Sequence, residues 1–409
     1  MHVLKKYDLI VVGGGIAGVC AATVAARRGL RVLLTEKTGV LGGALSNSLV
    51  YPFMKYKMKN KLLSDGIFTE IRKRKEVYED TSWECYKFVF DDMVTEAKAD
   101  VLFHSNVYKA QTDGRNIKSV SVLTKSGTEE FEAKYFIDAS GDGELIAMAK
   151  CDYQLGRESD GFCQPMTTCF RVGNVDVELF KKEKDMLQQK YKEYQNNGKI
   201  SNPRENILVF YGLGNGVLHF NTTRVIKHNP VDSAEISQAE IIARKQVVEM
   251  ISFFKENAKS FKNSYLAALP EHIGVRESRK LRGVHILTAD EIKNCVHFED
   301  TIALGNYEID IHNPTGTGTQ LYYFDEDEYY CIPYRSLQPK EYDNMLVAGR
   351  CVSATHEAHS AIRIMPICAC MGEAAGVAVY VADKNGTGVN DINIKELQSL
   401  LRENGAQID

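Results

Sequence analysis

The glycine spacing Gly13-x-Gly15-x-x-Gly18 constrains the fold more than any other feature of the chain. It lies between an apolar run typical of a strand, residues 7–12, and an Ala-rich segment that favours a helix, residues 19–28. In this context the first glycine permits a tight turn, and the second lets a pyrophosphate approach the backbone at the helix N-terminus. The third lets the helix and strand pack closely. The pattern predicts a βαβ unit that binds a dinucleotide.

A second apolar run, residues 30–35, ends at Glu36, which lies 18 residues after Gly18. A carboxylate in this place accepts hydrogen bonds from a ribose 2′-hydroxyl and repels a 2′-phosphate. The pattern therefore disfavours NADP in this site, and it leaves NAD and FAD open.

The order of the later elements predicts the architecture. A helix over 83–99 is followed by three alternating segments, 101–109, 117–124 and 128–135, that indicate an antiparallel meander. Strand and helix patterns like those of the first 36 residues return from residue 344. We therefore predict an α/β fold in which a Rossmann-like domain has a central parallel sheet and a meander. This domain is discontinuous, over 1–158 and 330–409, and an α+β substrate or cap domain is inserted at 159–329.

Composition limits the classes of binding partner and the cellular location that we expect. The 50 Lys and Arg against 54 Asp and Glu give a net charge of −4, and no basic block indicates nucleic-acid binding. No segment reaches 18 consecutive apolar residues, so no membrane span is predicted. The apolar stretch 9–12 runs into the glycine turn and not into a cleavage site, so no signal peptide is predicted. The ten cysteines contain no Cys-x-x-Cys, which disfavours zinc and iron–sulfur sites. We expect a soluble, cytoplasmic protein with reduced, mostly buried thiols and no membrane partner.

Motifs spread along the chain carry a family resemblance. Three of them, at 41–44, 137–143 and 346–350, follow predicted strands and resemble the glutathione-reductase-type FAD-binding fold. With further stretches the chain resembles, over nearly its whole length, the FAD-dependent oxidoreductases related to fumarate reductase flavoproteins and heterodisulfide reductase A subunits. The further stretches are residues 219–224, 273–280, 287–291, 332–337 and 344–353.

The resemblance implies FAD as the cofactor and assigns its contacts. Gly13, Gly15 and Gly18 would hold the pyrophosphate, Glu36 the adenosine ribose, and Val107 the adenine through its backbone. The positions implied beside the rest of the cofactor are Ile16, Ala17, Lys37, Gly42, Gly43, Ala44, Ala139, Ser140, Gly141, Asp142, Gly349, Arg350, Pro366 and Ile367.

Several departures from relatives limit the chemistry. Many flavoproteins of this fold have Asp where this chain has Arg350, which can meet a phosphate or form a structural ion pair. The 42–47 segment has no cysteine pair, and no second nicotinamide fingerprint or cluster cysteines are present. A separate electron donor or acceptor is therefore an expected partner.

The segment before Pro366 holds the candidate catalytic residues His356, His359 and Arg363. The resemblance places the following helix with its N-terminus at the flavin, where its partial positive charge stabilises negative charge. Each histidine can instead be a structural hydrogen-bonding residue, and Arg363 a packing or ion-pair residue. Two histidines supply too few ligands for a metal, so no metal is predicted.

Arg276, Arg279 and Arg335 can clamp an acidic substrate or form ion pairs between the domains. The function predicted from these features is hydride transfer between bound FAD and an unidentified small molecule, with an acidic one as an option. The alternative is a non-redox nucleotide- or ligand-binding protein on the same fold.

Overall fold

The computed structural model describes residues 5–59, 61–78 and 83–409. The helices in these ranges are α1 (Ile16–Arg27), α2 (Ala44–Asn47), α3 (Ile67–Glu76), α4 (Tyr86–Glu96), α5 (Glu144–Met148), α6 (Val177–Asn196), α7 (Ser233–Asn257), α8 (Ala289–Lys293), α9 (His356–Ile362), α10 (Met365–Asn385) and α11 (Ile394–Glu403). The strands are β1 (Lys5–Val12), β2 (Val32–Thr35), β3 (Lys57–Met58), β4 (Lys61–Leu62), β5 (Asp100–Leu102), β6 (Asn106–Asp113), β7 (Asn116–Thr124), β8 (Gly127–Asp138), β9 (Tyr153–Leu155), β10 (Phe170–Gly173), β11 (Val209–Phe210), β12 (Leu218–Phe220), β13 (Tyr265–Ala268), β14 (Arg279–Leu281), β15 (Thr301–Gly305), β16 (Ile309–His312), β17 (Thr319–Tyr322), β18 (Tyr330–Pro333) and β19 (Met345–Val347).

The main sheet confirms the predicted α/β fold. Within the described ranges its strand order is β5-β2-β1-β8-β7-β6, and β19 pairs with β8. The end of β8 pairs in parallel with β1 and β19, whereas its first half pairs antiparallel with β7. One long strand therefore belongs to both the parallel sheet and the meander.

The prediction of one meander strand over 101–109 was wrong. That stretch is divided, because β5 pairs in parallel with β2 and only β6 starts the meander. His104, with a φ of 51°, interrupts the extended backbone between them. The first βαβ unit is therefore extended by a third parallel strand.

Helices α1 and α10 pack closely because small residues line their contact. A Cβ atom added at Gly372 would lie 2.2 Å from the carbonyl oxygen of Ala17. By length and composition alone α10 could cross a membrane, but 89% of its most apolar window is buried inside the protein. Its apolar character is therefore that of a core helix.

Part of the predicted insert has a hydrophobic core of its own. Strands β11, β12, β10 and β13 form a sheet in that order, and aromatic residues such as Phe180, Phe220 and Phe254 are buried between it and α6 and α7. This core extends from Phe170 to Phe261. Residues from Leu287 to Phe324, also inside the predicted insert, pack instead into the main core.

Candidate active site

Of the three fingerprint glycines between β1 and α1, Gly13 and Gly18 are required by the backbone and its packing, whereas Gly15 is not. A Cβ atom at Gly18 would lie 1.9 Å from the carbonyl oxygen of Gly13, and Gly13 itself has a φ of 101°. Gly15 has an ordinary φ of −64°, and the nearest atom to an added Cβ is 3.9 Å away. Gly15 is the N-cap of α1 and offers no side-chain cap, so N–H groups of the first turn remain available to an anion.

Glu36 holds this turn in shape from the end of β2. Its Oε2 accepts a hydrogen bond from the backbone N–H of Gly14 at 2.8 Å, and its Oε1 accepts one from the N–H of Thr38 at 2.8 Å. The carboxylate is buried yet lines a cavity that also contacts Val107 on β6. The geometry is that of a carboxylate fixed at the edge of a binding site.

Arg350 forms the ion pair that the sequence left as one alternative. Its Nη2 donates to Asp142 Oδ1 at 2.9 Å, and its Nη1 donates to the hydroxyl of Ser278 at 2.9 Å. Burial alone would raise the pKa of Asp142, but the charges of Arg350 and Lys37 together hold it below its ordinary value. Arg350 thus joins the end of β8 to the residues before β14, and it lines the cavity as well.

One continuous cavity of about 950 Å³ runs along the carboxyl edge of the parallel sheet. We call the part beside Glu36 and the Gly13–Gly15 turn the glycine end, and the part beside Arg276, Arg363 and Asp310 the arginine end. The predicted cofactor residues that line the cavity are Gly13, Gly15, Ile16, Ala17, Glu36, Lys37, Gly42, Gly43, Ala44, Val107, Ala139, Ser140, Gly141, Asp142, Gly349 and Arg350.

Some predicted residues do not line this cavity. Gly18 lies beneath the turn, and the first turn of α10 reaches the cavity through Met365 and Cys368 rather than through Pro366 and Ile367. Pro366 does occupy the first turn of that helix, as the sequence predicts.

His356 and His359 are buried behind the cavity wall. His356 Nδ1 lies 2.8 Å from a Glu277 carboxylate oxygen, and Glu277 is also paired with Lys280. His359 Nε2 donates to the carbonyl oxygen of Arg350 at 2.7 Å, and burial lowers its pKa to about 3. Both histidines therefore contact groups that hold the site and do not line the cavity themselves.

The arginine end concentrates guanidinium groups. Arg276 donates to the carbonyl oxygen of Pro165 and to the hydroxyl of Thr167, which orients it along the wall. Burial, with the charges of Arg363 and Arg204, lowers the pKa of Arg276 to about 9. Arg363 lies 3.8 Å from Asp310, and its buried Nε has no hydrogen-bond partner in the described part of the chain. This end is poised to receive an anion.

The other two predicted arginines have different roles. Arg335 forms an ion pair with Asp300 at 3.0 Å, away from the cavity. Arg279 donates to the carbonyl oxygen of Asp142 at 3.1 Å and does not line the cavity. Of the three arginines named from the sequence, Arg276 is the one that faces the cavity.

The polar strand β16 is not among the elements predicted from the sequence. Asp310 and His312 line the cavity together with Glu308, while Ile309 and Ile311 between them pack into the main core. This alternation with a period of two is the signal that could have found a strand with one polar face. Within residues 5–59, 61–78 and 83–409, no group of three or more His, Cys, Asp or Glu residues is placed to hold a metal ion.

A model of the FAD dependent oxidoreductase family matches residues 8–401. The chain belongs to this family. The glutathione reductase of Schizosaccharomyces pombe is 28% identical over 196 residues, which are 43% of this chain and 40% of that protein. The match thus spans less than half of the curated relative.

The comparison with solved structures gives matches of low sequence identity to this FAD dependent oxidoreductase. A geranylgeranyl bacteriochlorophyll reductase-like protein of Thermoplasma acidophilum has a TM-score of 0.49 and 16% identity, covering 98% of this chain and 84% of that one. Glycine oxidase of Geobacillus kaustophilus has a TM-score of 0.43 and 12% identity, covering 90% and 93%.

The predicted cofactor is FAD, and the protein is an FAD-dependent oxidoreductase, as the resemblance implied. The alternative of a non-redox binding protein is not favoured. The glycine end fits a dinucleotide, because Gly15 leaves space, the N-terminus of α1 is uncapped by a side chain, and a fixed carboxylate lies at the end of β2.

Proposed function

We propose that this flavoenzyme transfers a hydride between bound FAD and a small anionic molecule held at the arginine end. The observation that carries the proposal is the single cavity, which runs without interruption from the glycine turn to Arg276 and Arg363. An FAD bound along the glycine end would supply a two-electron donor or acceptor. The substrate would meet it where the two ends join.

The cofactor contacts follow from the groups that line the glycine end. Backbone N–H groups at the start of α1 would bind the pyrophosphate, and Glu36 would accept hydrogen bonds from the adenosine ribose. Gly42 and Gly43 approach Gly15 closely, with a hydrogen bond of 2.8 Å from the Gly42 N–H to the carbonyl oxygen of Gly14. These backbone contacts would hold the cofactor's phosphates and ribityl chain along the sheet edge.

Helix α10 would favour negative charge near the reacting atoms. It begins at Met365, and Met365 and Cys368 in its first turn line the cavity. A helix N-terminus of this kind stabilises a nearby negative charge by about 0.3–2 kcal/mol. Arg363, directly before the helix, adds a full positive charge on the same side.

His356 and His359 act as positioning residues in this proposal. His356 contacts Glu277, which is flanked by Arg276 and by the Ser278 that contacts Arg350. His359 holds the backbone of Arg350. Both histidines would therefore fix the orientation of arginines at the cavity and would not transfer protons to substrate.

The FAD would be bound without a covalent link. Covalent attachment needs a nucleophilic side chain at the flavin, and Cys351 and His359 are fully buried and do not line the cavity. The thiols of Cys169 and Cys368 do line it, but burial raises their pKa values to about 11 and about 12, so they stay protonated. Burial also raises the pKa of Cys351 well above its ordinary value. A separate electron donor or acceptor would complete the cycle, and we place the enzyme in the cytoplasm.

The test is a purification followed by anaerobic reduction. The protein should be yellow, carry FAD close to one per chain, and release it into the supernatant on acid precipitation. A panel of small organic acids and their uncharged analogues is then added without oxygen while the flavin absorbance is followed. Bleaching by an acid and not by its amide supports the proposal. A colourless protein that FAD cannot reconstitute, or bleaching by uncharged compounds alone, would contradict it.

A further inference from the structure

We infer that the substrate is a monocarboxylate with a bulky apolar group, such as an aromatic ring, and not a small dicarboxylate. The inference rests on the proposed function, and it comes from two features of the arginine end. One is the balance of charges around the arginines, and the other is an apolar part of the wall of the same cavity.

The polar side of the arginine end is already largely neutralised. Arg224 donates to His312 Nδ1 at 3.1 Å, and because a guanidinium only donates, the proton of His312 must lie on Nε2. That Nε2 is 3.3 Å from Asp310 Oδ2, so His312 is a neutral link between Arg224 and Asp310. Arg224 is in addition 3.1 Å from a Glu205 carboxylate oxygen.

The remaining charge matches one carboxylate. Arg204, Arg276 and Arg363 line the cavity, and the buried Arg224 lies behind the lining, against Glu205. The carboxylates that line the cavity with them are those of Glu205, Asp310 and Glu308, and Glu240, which also lines it, is paired with Arg244 at 3.0 Å. Counting these groups leaves an excess of one positive charge. Arg363 Nε has no hydrogen-bond partner among the residues that the structure describes. A dianion would leave a buried negative charge without a partner, which is costly.

Part of the cavity wall is apolar because side chains alternate in direction over residues 207–210. Leu208 and Phe210 line the cavity, while the alternate residues Ile207 and Val209 pack into the core that extends from Phe170 to Phe261. The Phe210 ring centroid is 5.9 Å from that of Tyr51, which also lines the cavity.

Contacts outside the cavity hold this wall rigidly. The Tyr51 hydroxyl donates to the carbonyl oxygen of Tyr211 at 2.9 Å, and its ring packs edge-on against Trp83 with centroids 4.5 Å apart. Val50 and Met54 extend the apolar surface along the cavity. A fixed aromatic and aliphatic surface in the same cavity as a guanidinium cluster suits a ligand with one charged end and one apolar end.

The test uses ligands that need not react. FAD-loaded enzyme is titrated with phenylacetate, acetate, succinate and benzyl alcohol, and binding is followed by the change in the flavin absorption spectrum and by calorimetry. Burial of a phenyl ring should make phenylacetate bind about 10- to 100-fold more tightly than acetate. Succinate should bind no more tightly than acetate, and benzyl alcohol more weakly than phenylacetate.

Variants of the apolar wall test whether this surface causes the preference for phenylacetate over acetate. Phe210→Ala should reduce the ratio of phenylacetate to acetate affinity about 10-fold, and Phe88→Ala, a truncation of an exposed ring on α4, should leave the ratio unchanged. Met54→Ala serves as a second wall variant if Phe210→Ala does not fold. Equal binding of acetate and phenylacetate, or tighter binding of succinate, would overturn this inference and leave the proposed function standing. Binding of benzyl alcohol with no binding of any acid would overturn both.

Discussion

The glycine end and the arginine end of the cavity are built by different means. The glycine end lies at the edge of the parallel sheet, where backbone groups, glycines without side chains and the fixed carboxylate of Glu36 form the site. The arginine end comes from segments that are distant in the sequence, at Arg276, Asp310 and Arg363, where charged side chains form the site. The glycine end suits a cofactor that does not vary, because backbone geometry fixes the shape of this end. The arginine end can be altered by single substitutions of side chains, which suits the selection of a substrate.

The largest expected effect is at the arginine end, with Arg363→Met. This change keeps much of the apolar stem and removes the charge, so flavin content should be unchanged. Reduction by substrate should slow by about 10²–10³-fold, as for the loss of one electrostatic donor. Rapid mixing under anaerobic conditions measures the rate per bound flavin.

The matched control is Arg335→Met, which removes an arginine paired with Asp300 outside the cavity. Its rate should be that of the wild type. If Arg363→Met lowers thermal stability and flavin content while the rate per flavin stays the same, Arg363 is a structural residue.

At the glycine end, Gly18→Ala and Gly15→Ala should separate packing from binding. The Gly18 variant places a Cβ atom 1.9 Å from the Gly13 carbonyl oxygen, so the apoprotein should lose about 3 kcal/mol of stability. In the Gly15 variant the nearest atom of the described residues, apart from the two chain neighbours, is 3.9 Å from the added Cβ, so the stability of the apoprotein should not change. Its affinity for FAD should nevertheless fall about 10- to 100-fold. Unchanged FAD affinity in Gly15→Ala would remove the turn from the cofactor site.

Glu36→Ala should cost about 1.5–3 kcal/mol of FAD affinity, because it removes a charged acceptor. The same change leaves the Gly14 N–H without its partner. Glu36→Gln keeps one acceptor oxygen for that N–H and removes the charge, so it should lose less affinity than the alanine variant. Calorimetric titration of apoprotein with FAD measures both. The assignment fails if Glu36→Ala binds FAD as the wild type does.

The smallest expected effect is on the pH dependence of folding stability. It comes from His219, whose ring centroid is 6.1 Å from that of Phe210 in the apolar wall. Burial, assisted by the charge of Arg171, lowers the pKa of His219 from 6.5 to about 3. The unfolded chain then binds a proton below pH 6.5 that the folded protein does not, so stability falls as the pH drops from 6.5 towards 3. The loss of stability caused by His219 amounts to about 1.4 kcal/mol per pH unit in that window, and His219→Phe should abolish it. Urea unfolding at pH 7, 6 and 5 compares the two, and parallel pH profiles would show that His219 does not remain neutral.

The sequence predicts the glycine end well because its determinants are local. The turn, α1 and Glu36 lie within one short stretch, and each residue type there answers a backbone requirement. The arginine end depends on which distant strands meet, so Asp310 and His312 were not found, and burial of α9 removed His356 and His359 from the cavity surface. The division at His104 falls at the polar stretch His104-Ser105-Asn106, a signal that the prediction of one strand over 101–109 did not use.

A crystal structure of the FAD-loaded enzyme tests most directly whether one cavity joins a cofactor end to a substrate end. We predict the pyrophosphate at the Gly13–Gly15 turn, the adenosine ribose at Glu36, and the flavin ring between the first turn of α10 and Arg363. A flavin ring directed away from Arg363 and Arg276, or FAD bound outside this cavity, would contradict it.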